Sequence, residues 1–193
     1  HSLGITLALI DMQAHGETPG ERISFGYFEA RDAANALDYL KNTLGCTKVL
    51  AIGHSLGGAA ILLGPAPTTA DAVVLESVYP TIEAAVANRL EAKVHYLARF
   101  FAPLLVWQIP LRLAITPHQL RPIEAIKKVK VPIFIIGGGQ DRHTPESQTR
   151  ALYTAATGDK RLWIVPQAPH VDLYNFAGEQ YEQKLTEFID QVL

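Results

Sequence analysis

The chain has 193 residues, 48% of them apolar, and 17 Lys plus Arg against 19 Asp plus Glu leave a formal net charge of −2. That length and composition suit one folded domain with a sizeable core, and the near balance of charge provides no broad basic face for a phosphate backbone, so nucleic acid is excluded as an expected partner. Cys46 is the single cysteine; it cannot close an internal disulfide, no oxidising compartment is required, and the cytoplasm is the expected location.

Along the chain, short apolar or β-branched runs alternate with stretches of helical spacing, the pattern of an α/β fold with a mostly parallel sheet and crossover helices. The chain opens on His-Ser rather than Met, with no basic-then-apolar leader before the first apolar run, so a cut or processed start is expected. Five strands are predicted, over 5–10, 48–53, 72–76, 131–137 and 161–165. A helix over 28–43 follows from Ala33, Leu37, Leu40 and Leu44 at spacings of four and three, with Gly45 ending it. Thr144 as cap and Pro145 in the first turn predict a helix to about 157. A last helix over 178–193 sets Tyr181, Leu185, Phe188 and Val192 on one side. Between the third and fourth strands, residues 81–130 hold no convincing strand and read as a helical lid inserted in a single domain spanning 1–193. Within it Phe100, Leu104, Leu105 and Trp107 either face a ligand or cover the domain's own core. The run over 100–113 is broken by Pro103, Gln108, Pro110 and Arg112, too short and interrupted for a membrane span.

The chemistry gathers around Gly53-His54-Ser55-Leu56-Gly57-Gly58, a G-x-S-x-G pattern between a predicted strand and a helix-like stretch from Ala59. A sharp strand-to-helix reversal needs glycines, lifts the serine hydroxyl clear of the sheet, and makes the Leu56 N–H a natural oxyanion donor. By itself the pattern arises by chance in about one protein in twenty of this size. Serine also needs a base, so partners are sought at other strand ends, where an open parallel sheet collects its functional groups. Asp141 follows the fourth predicted strand in Gly-Gly-Gly-Gln-Asp-Arg-His-Thr-Pro, and His170 follows the fifth after Gln167-Ala168-Pro169. The order Ser, Asp, His is the one the elbow motif requires. Each has a plainer role: Ser55 a helix cap, Asp141 a turn former, His170 a surface histidine. Glu76, at the end of the third predicted strand, is the reserve acid. His15, His54 and His143 lack any metal-ligand spacing, so no metal is expected, and Cys46, ahead of a strand, reads as a small buried apolar residue.

These motifs, with Asp11-Met12-Gln13-Ala14-His15-Gly16-Glu17-Thr18 after the first predicted strand and the Pro-His-Val-Asp-Leu loop, resemble the α/β-hydrolase superfamily, and within it the small esterase and lipase type that includes the Bem46-like proteins. The resemblance implies hydrolysis of a small-molecule acyl ester or thioester through an acyl-enzyme on Ser55, with His170 as base, Asp141 orienting it, and no metal or organic cofactor. It covers nearly the whole chain but begins at what is normally the fourth strand of an eight-stranded sheet. The loop after the absent third strand would supply the second oxyanion N–H, whose loss costs a hundred- to a thousandfold, about 3 to 4 kcal/mol. Its absence also leaves a slot beside 48–53, to be closed by the 5–10 strand moving across, by a second copy in a homo-oligomer covering the sheet edge, or by the rest of a longer protein. The competing reading is a non-catalytic or truncated, inactive domain of the same fold.

Overall fold

The computed structural model describes residues 5–64, 68–94 and 98–192. The extreme start of the chain, residues 95–97 inside the predicted lid, and Leu193 at the end of the last predicted helix lie outside the described residues.

A parallel four-stranded sheet forms the centre, in the order β1 (Leu50–His54), β2 (Ala72–Glu76), β3 (Ile133–Gly138) and β4 (Lys160–Val165). Four of the five predicted strands are thus present, each within two residues of its expected bounds. Side chains alternate across a strand, and β2 uses both faces. Val73 and Leu75 join Ile133 and Ile135 in a core with Leu37 of α1 (Glu29–Asp38), Ala59 and Leu62 of α2 (Leu56–Leu62) and Leu152 of α7 (Glu146–Ala155). On the opposite face Val74, Phe134, Ile136 and Trp163 meet Tyr181 and Phe188 of α9 (Glu179–Val192). Burial on both sides is why β2 and β3 are nearly continuous apolar runs.

The fifth expected strand, 5–10, is a correction: it forms no ladder. Its residues suit a strand, but a strand exists only against a neighbour, and none of the sheet's described strands offers it one. Leu7 and Leu9 face solvent, Leu9 at 94% exposure. The segment therefore does not cross over to close the slot, and among the described residues β1 is the edge of the sheet. Ile52, in register with Val74, lies beyond the cover of α9 and is half exposed.

The first helix runs as expected from Glu29, but after Asp38 it widens into a π-type turn over Tyr39–Thr43. The Leu44 N–H reaches back five residues to Tyr39 O at 3.0 Å. That extra residue turns Leu44 outward to 57% exposure, against the expected stripe, while Ala33 and Leu37 remain buried. Gly45, at φ +69°, then ends the helix as the sequence suggests. Two features ahead of α1 were not legible in advance. Glu29 is fully buried, and its carboxylate accepts from Ser24 N–H (2.7 Å), Ser24 Oγ (2.5 Å) and Gly26 N–H (2.9 Å). The Tyr79 hydroxyl donates to Phe25 O, fastening the same loop to the segment after β2.

Between β2 and β3 the chain is helical, with α3 (Ile82–Val94), α4 (Ala98–Trp107), α5 (Ile109–Leu113) and α6 (Pro122–Ala125). No helix among the described residues is long and apolar enough to cross a membrane. The predicted cap of α7 is corrected: Pro145, not Thr144, stands at the N-cap, because the Thr144 hydroxyl is spent on Ser77 O at 3.1 Å. The last helix keeps its predicted face, with Tyr181 and Phe188 buried and Leu185 and Val192 packed beside them. Short α8 (Leu173–Ala177) precedes it, capped by the Asp172 carboxylate, which accepts the Asn175 N–H at 3.1 Å.

Candidate active site

All four strands run the same way, so the segments leaving β1, β2, β3 and β4 emerge at one edge of the sheet. Ser55 follows β1 directly and starts α2, at φ +49° and ψ −112°. A non-glycine residue there is strained by about 1 to 3 kcal/mol and persists only where its surroundings impose it. They do: Ser55 N–H donates to Glu76 O at 2.7 Å, and Ala59 N–H donates to Ser55 O at 3.0 Å. The flanking glycines allow the reversal. A Cβ on Gly53 would sit 2.5 Å from Gly58 N, and one on Gly58 would lie 2.3 Å from Val78 Cγ2 and 2.7 Å from Gly53 O. Leu56 opens α2, so its N–H belongs to the first turn, which has no intrahelical acceptor.

The acid and base loops are laced by their backbones. Gly139 N–H donates to Val165 O and Gln140 N–H to Ala168 O, both at 2.9 Å. Gly138 has no room for a side chain, since a Cβ would fall 2.3 Å from Ala168 O. Asp141, 4% exposed, uses both oxygens: Oδ1 accepts the His143 and Thr144 N–H groups at 2.8 Å each, and Oδ2 meets His170 Nδ1 at 2.7 Å. His54, the residue before Ser55, sets its ring 5.1 Å from that of His170, and His143 approaches it from elsewhere at 4.9 Å. No hydrogen bond joins Ser55 to His170 among the described residues.

Glu76, the expected reserve acid, is bonded elsewhere than to His170. It accepts a hydrogen bond from the Tyr181 hydroxyl. Burial pushes its carboxyl above the usual range, opposed by that bond and reinforced by Asp172. Two contacts escaped the sequence reading. Asn88 of α3 donates to His143 O (2.9 Å) and Gln148 Oε1 (3.0 Å), tying the helical segment to the acid loop. Glu91 lines, with Gln140, Asp141, Arg142 and Pro145, an open cavity beside that loop. An asparagine on a helix carries no motif, so neither contact had a signal to find. Cys46 packs partly buried against the core, and no group of three or more His, Cys, Asp or Glu able to hold a metal occurs among the described residues.

Burial alone would raise the Asp141 carboxyl, but the hydrogen bonds from His170, Thr144 and His143 outweigh it and hold it below the ordinary 3.8. An acid lowered in the folded state adds stability that is complete above its unfolded value and is lost as pH falls through its folded value. The urea midpoint gap between wild type and Asp141→Asn should therefore narrow as pH drops from about 6 to about 3. A gap that stays constant over that range would mean Asp141 titrates as in the unfolded chain.

Residues 1–183 match the model of the alpha/beta hydrolase family. The chain belongs to that family. Among curated relatives, this alpha/beta hydrolase is 25% identical over 194 residues to protein YqkD of Bacillus subtilis, covering 98% of this chain and 64% of that one. It is 26% identical over 168 residues to the alpha/beta hydrolase domain-containing protein WAV2 of Arabidopsis thaliana, covering 83% and 53%. The hydrolase chain thus spans less than two thirds of the length of these relatives. Among solved structures it resembles the Pyrococcus furiosus esterase Pf2001, with a TM-score of 0.72 at 19% identity over 94% of this chain and 69% of the esterase. It also resembles a monoacylglycerol lipase of Paleococcus ferrophilus, with a TM-score of 0.62 at 21% identity over 93% and 80%. At such identities the likeness speaks for the fold.

Proposed function

We propose that this alpha/beta hydrolase is a serine hydrolase that cleaves a carboxylic ester or thioester. The observation that carries the reading is the Asp141 Oδ2 to His170 Nδ1 bond of 2.7 Å, formed at the sheet edge where Ser55 is held in a strained turn and where the ring of its neighbour His54 lies against His170. The Ser55 hydroxyl adds to the ester carbonyl while His170 Nε2 takes its proton, and the negative oxygen that forms is met by the Leu56 N–H. His170 returns the proton to the departing alcohol or thiol, leaving an acyl group on Ser55. Water then adds with the same imidazole as base, releasing the acid and restoring the serine. Asp141 keeps the Nδ1 proton in place throughout. A cytoplasmic setting belongs to the reading, since the lone Cys46 needs no oxidising compartment.

The test is covalent. A fluorophosphonate probe should add to the peptide carrying Ser55, the adduct should vanish in Ser55→Ala, and p-nitrophenyl ester turnover should vanish with it. Folded protein that takes no adduct would favour the non-catalytic reading, in which a single oxyanion donor is not enough.

A further inference from the structure

The helices α4 and α5 are apolar on both sides. Ala102, Val106, Ile109 and Leu113, spaced by four, three and four, turn inward; Ala102, Ile109 and Leu113 are buried, and Val106 packs beside the core. That stripe alone satisfies the helix's debt to the core. Yet the outer side carries Phe101, Leu104, Leu105, Trp107 and Leu111, with Trp107 65% and Leu111 71% exposed. Phe100, Leu104, Leu105 and Trp107, expected either to face a ligand or to cover the core, are all exposed. A surface helix of a water-soluble domain normally sets charged residues there, and a contiguous exposed apolar face marks an interaction site.

The charge around this face selects the occupant. No Asp or Glu occurs from residue 92 to residue 123, whereas Lys93, Arg112 and Arg121 all do, Arg121 being paired with Glu83 of α3 at 3.6 Å. Lys93 and Arg112 are exposed at the ends of α3 and α5, and the exposed Arg22 guanidinium, donating to Arg112 O at 2.9 Å, adds a further cation. An outward apolar face with a tryptophan, on helices that themselves carry no carboxylate and have exposed cations near their ends, is what a helix lying in an anionic membrane surface requires. A second copy would set this basic rim against itself, a like-charge contact that works against pairing.

We propose that the outer face of α4 and α5 is a docking surface for an anionic lipid bilayer, with Leu104, Leu105, Trp107 and Leu111 entering the headgroup region and Lys93, Arg112 and Arg22 meeting lipid phosphates. Docking uses the helix face and not Ser55, so it goes beyond the hydrolase reading and stands apart from it. The full chain should float with vesicles of phosphatidylcholine and phosphatidylglycerol and much less with phosphatidylcholine alone. Trp107→Ser with Leu111→Ser should lower flotation at least about tenfold at unchanged melting temperature, and Arg112→Gln should weaken it mainly at low salt. Tryptophan emission should shift to the blue on vesicle addition in wild type and not in Trp107→Phe, because the other tryptophan, Trp163, is already buried. Ser55→Ala should float like wild type, which separates this test from that of the catalytic reading. Absence of flotation with anionic vesicles, equal flotation of the double variant, or a lipid-free dimer that the double variant abolishes would each overturn the proposal.

Discussion

Replacing Asp141 by asparagine is expected to lower kcat/KM on a p-nitrophenyl ester by about ten-thousandfold. The reason is the direction in which the amide must point. Oδ1 of Asp141 accepts two backbone N–H groups, from His143 and Thr144, so an asparagine keeps its oxygen there and turns its NH₂ to where Oδ2 now meets His170 Nδ1. Facing a donor, Nδ1 must accept. The ring proton then moves to Nε2, the nitrogen that should receive the serine proton, and the base is lost while the geometry survives. Glu76→Gln is the companion variant. Its carboxylate is engaged with Tyr181, so the change should cost stability more than rate. A fall below about tenfold in Asp141→Asn, or a larger fall in Glu76→Gln, would pass the orienting role to Glu76.

The second large effect concerns stability. Glu29→Ala should destabilise the fold by about 3 to 5 kcal/mol, read from urea midpoints at constant slope. The carboxylate accepts from Ser24 N–H, Ser24 Oγ and Gly26 N–H at a position with no solvent exposure, and Ser24 Oγ in turn accepts the Phe28 N–H at 2.6 Å. Alanine would strand those donors where water does not replace the lost acceptor. Glu29→Gln keeps one acceptor oxygen and should cost less than half as much. A cost under about 1 kcal/mol for the alanine variant would mean that the loop over 24–28 rearranges to reach water.

Glu29 also marks where sequence reasoning stops. Strands β2 and β3 were legible because two-sided burial writes itself as a nearly unbroken apolar run, β4 from the shorter run over 162–165, and the Ser55 elbow because its glycines have no substitute. Asp141 and His170 became candidates from their positions after strands, and the fold brings the two side chains together. Residues 5–10 carry the same apolar signature without becoming a strand, since composition records what a segment could pair with and not whether a neighbour is there. Leu44 was misplaced because a π-type turn leaves no mark in a spacing of four and three. Glu29 looks like any acid in the first turn of a helix, and its burial is fixed by a loop that contacts it only after folding.

The lacing of the acid and base loops by Gly139 and Gln140 ties Asp141 and His170 into one part of the site, with Ser55 in the other. The two parts are joined through β2. Ser55 hangs from Glu76 O, Ser77 N–H is tied to Ile136 O at 2.9 Å, and Thr144 Oγ1 is tied to Ser77 O. The dipeptide Glu76-Ser77 therefore links the turn that holds Ser55 to the loop that holds Asp141. Ser77 holds that place at φ +48°, a positive φ that it shares with Ser55.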